Sequence, residues 1–247
     1  MRIALISDIH GNMTAFEAAL SLIERVDKVV CLGDVAATGP QPHETITALK
    51  KLRYPCVMGN GDEPLAKGVL EKAWRPQEPE RERRMFEELG RWTLSQLAES
   101  DRAFLSTFKP KITIKTEAGS LLCYHGSPKS NTEGIHPATP DGEVSKIIVG
   151  QDATILAGGH THSQMFRHLG SSLIINPGSV GLPYEKDAAG MFRNPTWAEY
   201  AIVSLGDKRL KVELCRVPYS LAKLAKAVRA SGMPNQDWWL ADWFQAR

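Results

Sequence analysis

Apolar positions gather into short runs at the start of the chain. RIALIS reads as a buried strand, and TAFEAALSLIER behind it carries Phe16, Ala19, Leu20 and Ile23 on one helical face. Thr14 and Glu17 form a capping-box pattern at the start of that helix. KVVCL reads as a second strand, HETITALKKL behind Pro42 as a second helix, and PCVM as a third strand. Such a βαβαβ opening predicts a first sheet that is largely parallel, with helices packed against it.

The pattern changes over residues 68–108, which are charged, contain Pro76 and Pro79, and then place Met85, Phe86, Leu89, Trp92 and Leu97 at helical spacing. This stretch reads as a helical insertion or cap, with Arg81, Arg83 and Arg84 on a solvated face. KITIK and LLCY around TEAGS predict a hairpin, followed by a short helix near 141–149 and the strand TILA. MFRHL with SLII across Gly170, and EYAIVSL with RLKVELCRV across GDK, predict two more hairpins and give the second half an antiparallel character. SLAKLAKAVRA reads as an amphipathic helix closing the regular structure.

Length and composition set limits without naming a partner. The 247 residues suffice for one large domain with a buried core, expected to span 1–247. With 43% hydrophobic and 23% charged residues and a net charge of +2, nothing marks the chain as a nucleic-acid or membrane binder. The N-terminal apolar run is too short for a signal peptide, and no later stretch approaches a membrane span. Cys31, Cys56, Cys123 and Cys215 lie singly in apolar segments without a CxxC pair, as expected for reduced core residues of a cytoplasmic protein.

The residues directly after the strands carry the candidate chemistry. Asp8 and His10 follow the first strand, Asp34 the second, Asn60 the third, His125 follows LLCY, and His160 and His162 follow TILA. Ligands of open α/β sheets bind outside the carboxyl ends of strands, so these side chains are expected to converge. Glycines beside them permit sharp turns and close backbone approach. Taken singly, each motif is an ordinary turn signal; it is their recurrence at five strand ends that points to a site. Imidazoles with two carboxylates and an amide suit borderline divalent ions such as Mn, Fe, Ni or Zn. Seven ligands exceed one ordinary site, and two ions roughly 3.5–4 Å apart suit displacement at phosphorus.

DIHGN at 8–12, GD at 33–34, GN at 59–60, HG at 125–126 and GHTH at 159–162 together resemble the calcineurin-like metallophosphoesterases. LGDVAATGPQP, HGSP, NPGSVG and VPYSLAKLAKAVRASGMP look like a bacterial and archaeal subgroup of that family, so the resemblance covers nearly the whole chain. It implies an α/β fold, a four-layer α/β/β/α sandwich of two mixed sheets with a dinuclear site at one edge. By that resemblance Asp8, His10 and His162 bind one metal, Asp34 bridges, and Asn60, His125 and His160 complete the second. Manganese is the first expectation, with Fe, Zn or Ni as alternatives. The implied reaction is hydrolysis of a phosphate ester by a hydroxide held between the ions, with Asp34, Asn60 and His125 as catalytic residues and Asn12, Gly61 and Gly126 against substrate.

One position departs from the pattern. Many members of the family carry a His directly after the Asn, where it stabilises the transition state or protonates the leaving oxygen; here that position is Gly61. General acid catalysis is typically worth about 10²–10⁴-fold, so its loss falls hardest on poor leaving groups and biases the expectation to phosphodiesters. The alternatives are a phosphomonoesterase or protein phosphatase, a dinucleoside polyphosphate hydrolase and, from another class, a metal-binding interaction scaffold. Asn12 reads equally as a cap of the following helix. His136 reads as a solvent-exposed loop residue and His43 and His168 as structural; NPGSVG on sequence alone is only a turn, which the resemblance implies lies near the metals. The tail QDWWLADWF reads as docking on the protein's own surface, with a homo-oligomer interface as the alternative.

Overall fold

Alternation along the first strand sets the layering. The computed structural model describes residues 1–23, 25–70, 79–116, 119–186, 192–206 and 209–244. Strand β1 (Arg2–Ile6) sends Ile3 and Leu5 into one core and Ala4 and Ile6 into another. Successive strand side chains point to opposite faces, so a strand apolar on both is covered on both. After it come α1 (Met13–Leu22), β2 (Lys28–Cys31), α2 (Pro42–Leu52), α3 (Asp62–Lys67), α4 (Glu80–Gln96) and α5 (Glu99–Leu105). Then follow β3 (Ile112–Thr116), β4 (Gly119–Cys123), α6 (Asp141–Ile148), β5 (Ile155–Ala157), β6 (Met165–Leu169) and β7 (Ser172–Asn176). The chain continues through β8 (Glu185–Lys186), β9 (Phe192–Arg193), β10 (Trp197–Gly206), β11 (Arg209–Pro218), α7 (Leu221–Ser231) and α8 (Gln236–Phe244).

Two sheets stack face to face, ordered β11-β10-β1-β2 and β3-β4-β5-β7-β6. Ile3, Leu5, Val30 and Val203 of the first meet Leu121, Cys123, Ile155 and Ile175 of the second in a central core. Phe16 and Ala19 of α1 and Ile46 and Leu49 of α2 cover the outer face of the first sheet, while Val144 of α6 covers the second. This is the expected four-layer α/β/β/α sandwich of two mixed sheets.

Pairing differs from the sequence reading in both sheets. In the first, only β1 and β2 form a parallel ladder, because the ten-residue strands β10 and β11 return as a hairpin and β10 joins β1 antiparallel. PCVM makes only isolated bridges, Cys56 to Cys31 and Val57 to Lys109, rather than a strand. In the second sheet β5 runs parallel to both β4 and β7, so its centre is parallel and only the outer hairpins are antiparallel. Apolar alternation identifies a strand's faces, not its partner.

Two helix boundaries also move. The N-cap of α1 is Asn12, whose side-chain oxygen accepts the Ala15 N–H at 3.0 Å, so the Thr14–Glu17 capping box does not form. The stretch read as one insertion contains two helices, α4 and α5, while residues 71–78 lie outside those described. Leu89 of α4 shares a core with Leu182, Leu224 and Val228, and with Trp239, Leu240 and Trp243 of α8. Regular structure therefore does not end at α7; the aromatic tail forms a further helix docked on the protein's own surface. Among the described residues no helix is long and apolar enough to cross a membrane. All four cysteines are free thiols, three of them buried.

Candidate metal centre

Five chain segments deliver seven side chains to one end of the two sheets. Asp8 and His10 follow β1, Asp34 follows β2, Asn60 follows the bridge at Val57, His125 follows β4, and His160 and His162 follow β5. Among the described residues, five of the nine non-glycine residues with positive φ are Asp8, His10, Asp34, His160 and His162. Left-handed backbone is unfavourable for such residues and persists where surrounding structure imposes it, commonly at functional sites. Glycine lets the loops meet: a Cβ on Gly33, whose φ is +104°, would lie 2.6 Å from the amide nitrogen of Gly59.

The donors form two groups. Asp8, His10 and His162 present ligand atoms within 4.8 Å of one another, as do Asp34, His125 and His160. Asp34 lies between them, its Oδ2 at 3.5 Å from Nε2 of His125 and 3.9 Å from Nε2 of His10. Nε2 of His162 is 3.3 Å from Oδ1 of Asp8, and Nε2 of His125 is 3.1 Å from Oδ1 of Asn60. All except His160 are buried.

Surrounding backbone fixes the direction of these groups. Nδ1 of His10, His125 and His162 each face a carbonyl oxygen, of Ala37 at 2.9 Å, Leu32 at 2.8 Å and Leu182 at 2.6 Å. Donation from Nδ1 leaves the neutral ring's Nε2 as a lone-pair donor, the arrangement that an outer hydrogen bond imposes on a metal-binding histidine. Nε2 of His10 and Nε2 of His162 then confront one another at 3.1 Å. Oδ1 of Asp8 is buried without a hydrogen-bond partner. Facing acceptors and an orphaned carboxylate oxygen call for positive charge, so the donor set fits divalent cations.

Further bonds hold the carboxylates. Gly61 N–H donates to Oδ1 of Asp34 at 2.7 Å, leaving Oδ2 toward the histidines. Asp62, fully buried, accepts from the N–H groups of Asp34, Val35 and Gly59, tying the second and third loops together. In NPGSVG, Ser179 Oγ donates to the Asp8 carbonyl, and Gly181 N–H does the same. Burial alone would raise the carboxyls of Asp8 and Asp34, but the histidines win: His162 and His125 bring Asp8 down to about 2, and His125 and His10 hold Asp34 well below the carboxylate range. Burial works against a charged His125, yet Asp34 raises it strongly. Burial and the proximity of His162 lower His10 to about 4, and burial and His125 lower His160.

The three residues expected against substrate are occupied otherwise. Both groups of the Asn12 amide are used, since Oδ1 caps α1 and Nδ2 donates to the Gly181 carbonyl at 3.0 Å, and the residue is fully buried. Both bonds support the capping reading of Asn12. The Gly61 N–H is committed to Asp34. Gly126 is buried under a loop, and a Cβ there would meet backbone atoms of Asn131 and Glu133 at 2.9 Å. His136 is exposed, and His43 lies 2.7 Å from the buried Asp101 carboxylate, away from the seven. His168 is exposed on β6, against Phe166. Tyr184, which no sequence pattern singles out, stacks on His162 with ring centroids 4.9 Å apart and planes 15° apart.

Comparison with known proteins bears on the family and the fold. The model of the calcineurin-like phosphoesterase superfamily domain matches residues 1–199. A metallophosphoesterase from Sphaerobacter thermophilus is similar in structure, with a TM-score of 0.74 at 27% identity over 98% of each chain. A hypothetical protein from Pyrococcus horikoshii shares the fold, with a TM-score of 0.79 at 20% identity over 95% of each chain. An uncharacterized protein from Methanocaldococcus jannaschii is 27% identical over 97% of this chain and 96% of its own length.

Proposed function

The chain belongs to the calcineurin-like phosphoesterase superfamily, and from that premise we propose that it is a dinuclear metal-dependent phosphoesterase that prefers diesters. The observation that carries the reading is Asp34, a buried carboxylate whose Oδ2 faces both donor groups. In this reading Asp8, His10 and His162 hold one ion, Asn60, His125 and His160 the other, and Asp34 both. Divalent ions there, manganese first among Mn, Fe, Zn and Ni, would polarise phosphoryl oxygens and bring the pKa of bound water toward neutrality.

The protein's own part is preorganisation. Carbonyls of Ala37, Leu32 and Leu182 orient three imidazoles, and Gly61 N–H fixes which Asp34 oxygen faces them. What the chain does not offer at position 61 is a proton-donating side chain. Departure of a basic leaving group then proceeds without help from that position, which favours diesters with acidic leaving groups.

Hydrolysis of a bis-aryl phosphate and the matching mono-aryl phosphate by metal-stripped protein, with and without manganese, tests this. Manganese-dependent cleavage of the diester with little monoester cleavage is expected. Equal rates on both would remove the diester preference and keep the metal dependence, while hydrolysis surviving without any divalent ion would overturn the mechanism.

A further inference from the structure

Strand β11 is an outer edge of the first sheet, and among the described residues it pairs with β10 alone. That ladder runs from Arg209 to Pro218 without a bulge, and proline appears only at its last residue. The C-terminal part of the edge is tied down: Gln164 Nε2 donates to the Cys215 carbonyl at 3.0 Å, and Arg216 meets Glu199 at 3.0 Å and Glu185 at 3.5 Å. Residues 210–214 have no such cover among the described residues, and Leu210 is 41% and Leu214 37% exposed. Both leucines share a strand face with Val212, which packs against the core between the sheets. Lys211 and Glu213 occupy the opposite face and pair with each other at 2.9 Å. Phe166, 50% exposed on the edge strand β6 of the second sheet, lies on the same side of the molecule, since its near neighbour Gln164 is the residue bonded to β11.

A long unbroken edge carrying exposed apolar side chains is a template for a further strand, and proteins blunt such edges with proline, bulges or charge. Within 210–214 there is no proline and no bulge, and the lysine is neutralised by its neighbour Glu213. We propose that residues 210–214 are the surface through which two copies of this chain associate, β11 against β11 antiparallel about a two-fold axis, extending the first sheet to eight strands. A second copy fits because one register is self-complementary. With Val212 opposite the partner's Val212, Leu210 faces the partner's Leu214 and Lys211 faces the partner's Glu213, each twice by symmetry. Sliding by two residues, the smallest step that keeps the apolar faces together, sets Lys211 against the partner's Lys211 or Glu213 against the partner's Glu213. Like charges directly opposite are destabilising, so charge selects the register that the leucines also fill. A contact this short belongs among the weaker interfaces.

Sedimentation equilibrium of the full chain, up to about 300 µM, tests this. Wild type is expected to dimerise with a Kd in the micromolar range. Lys211→Glu and Glu213→Lys each turn two attractive pairs into two repulsive ones and should weaken the dimer about tenfold or more. Two recoveries follow from the register. The double variant Lys211→Glu/Glu213→Lys should regain wild-type association, and an equimolar mixture of the two single variants should form a heterodimer more readily than either associates with itself. Leu214→Lys should weaken association too. Lys211 and Leu214 are exposed and Glu213 half-buried, so each variant should keep the wild-type circular dichroism as a monomer. A wild-type chain that stays monomeric at about 300 µM overturns the proposal. So does a dimer indifferent to both single reversals, which would place its interface elsewhere, as on the aromatic tail. A dimer weakened by each reversal but recovered neither in the double variant nor in the mixture overturns the paired register and the proposal with it.

Discussion

A Cβ placed on Gly61 would stand 2.9 Å from the Cβ of Ala37, closer than two side-chain carbons approach without one of them moving. The φ of Gly61 is −76°, which any residue adopts, so what holds glycine there is room rather than backbone conformation. Gly61→His alone is therefore expected to disturb Asp34, whose Oδ1 lies 3.2 Å from the same point, and to lower activity on every ester. Gly61→His combined with Ala37→Gly supplies both the imidazole and its space. In that pair the monoester-to-diester ratio of kcat/KM should rise at least tenfold, part of the ~10²–10⁴-fold that general acid catalysis is worth. An unchanged ratio in a fully metallated double variant would count against the missing acid as the source of diester preference.

Metal binding should stabilise the fold as well as activate it. Acceptors face one another across His10 and His162, and Asp8 Oδ1 is unpartnered, so a divalent ion relieves repulsion present only in the folded state. A ligand at a hundred times its Kd adds about 2.7 kcal/mol. Manganese added to stripped protein should raise Tm by several degrees, and Asp8→Asn should remove most of that rise. An equal rise in both would mean that the ion binds elsewhere.

The seven converging side chains were legible in the sequence because each sits within a few residues of a strand end, and strand ends are local features. Pairing was not: β10 reaches β1 from nearly two hundred positions away, and no alternation in either strand announces that partner. PCVM failed as a strand because only Cys56 and Val57 find bridge partners. Tyr184 escaped notice because its meaning lies in a stack on His162 that exists only once the β5 loop and the Leu182 segment are folded together.

Asn12 separates a capping role from a substrate role. Its oxygen holds the first turn of α1 and its NH₂ holds the Gly181 carbonyl, both in a fully buried setting. Loss of an N-cap costs about 0.5–2 kcal/mol, and leaving a buried carbonyl unsatisfied adds about 1–3 kcal/mol. Asn12→Ala should lower the urea midpoint clearly while KM changes less than twofold. A severalfold rise in KM with unchanged stability would favour the substrate role.

Asp101 joins two helices outside the seven converging side chains, and the joint is expected to be acid-sensitive. Buried at the start of α5, it accepts from Lys50 at 2.6 Å, His43 at 2.7 Å and the Ala98 N–H at 3.0 Å, tying α5 to α2. Burial by itself would raise its carboxyl, but the bonds from Lys50 and His43 bring it below the ordinary 3.8. A depressed folded pKa means stability that is present above the unfolded value and lost as pH falls through the folded one. Asp101→Asn should cost about 1.5–3 kcal/mol near neutral pH, and the gap from wild type should close below about pH 4. A gap independent of pH would show that packing, not charge, is what Asn fails to replace.

The aromatic tail is linked to the candidate metal centre through Leu182. Trp243 is buried, donates its indole N–H to the Tyr219 hydroxyl at 2.9 Å, and packs on Trp239 with ring centroids 4.6 Å apart. These tryptophans share a core with Leu182, and the Leu182 carbonyl orients His162. Truncating a buried tryptophan costs about 3–5 kcal/mol, so Trp243→Ala should lower the urea midpoint more than any exposed substitution in the chain. Because Leu182 loses part of its packing, the variant should also release metal at lower chelator concentration under conditions where it is fully folded by circular dichroism. Trp243→Phe, which retains most of the apolar volume without the indole donor, should recover metal retention more completely than stability. Wild-type chelator resistance in folded Trp243→Ala would mean that the tail seals the surface without bearing on His162.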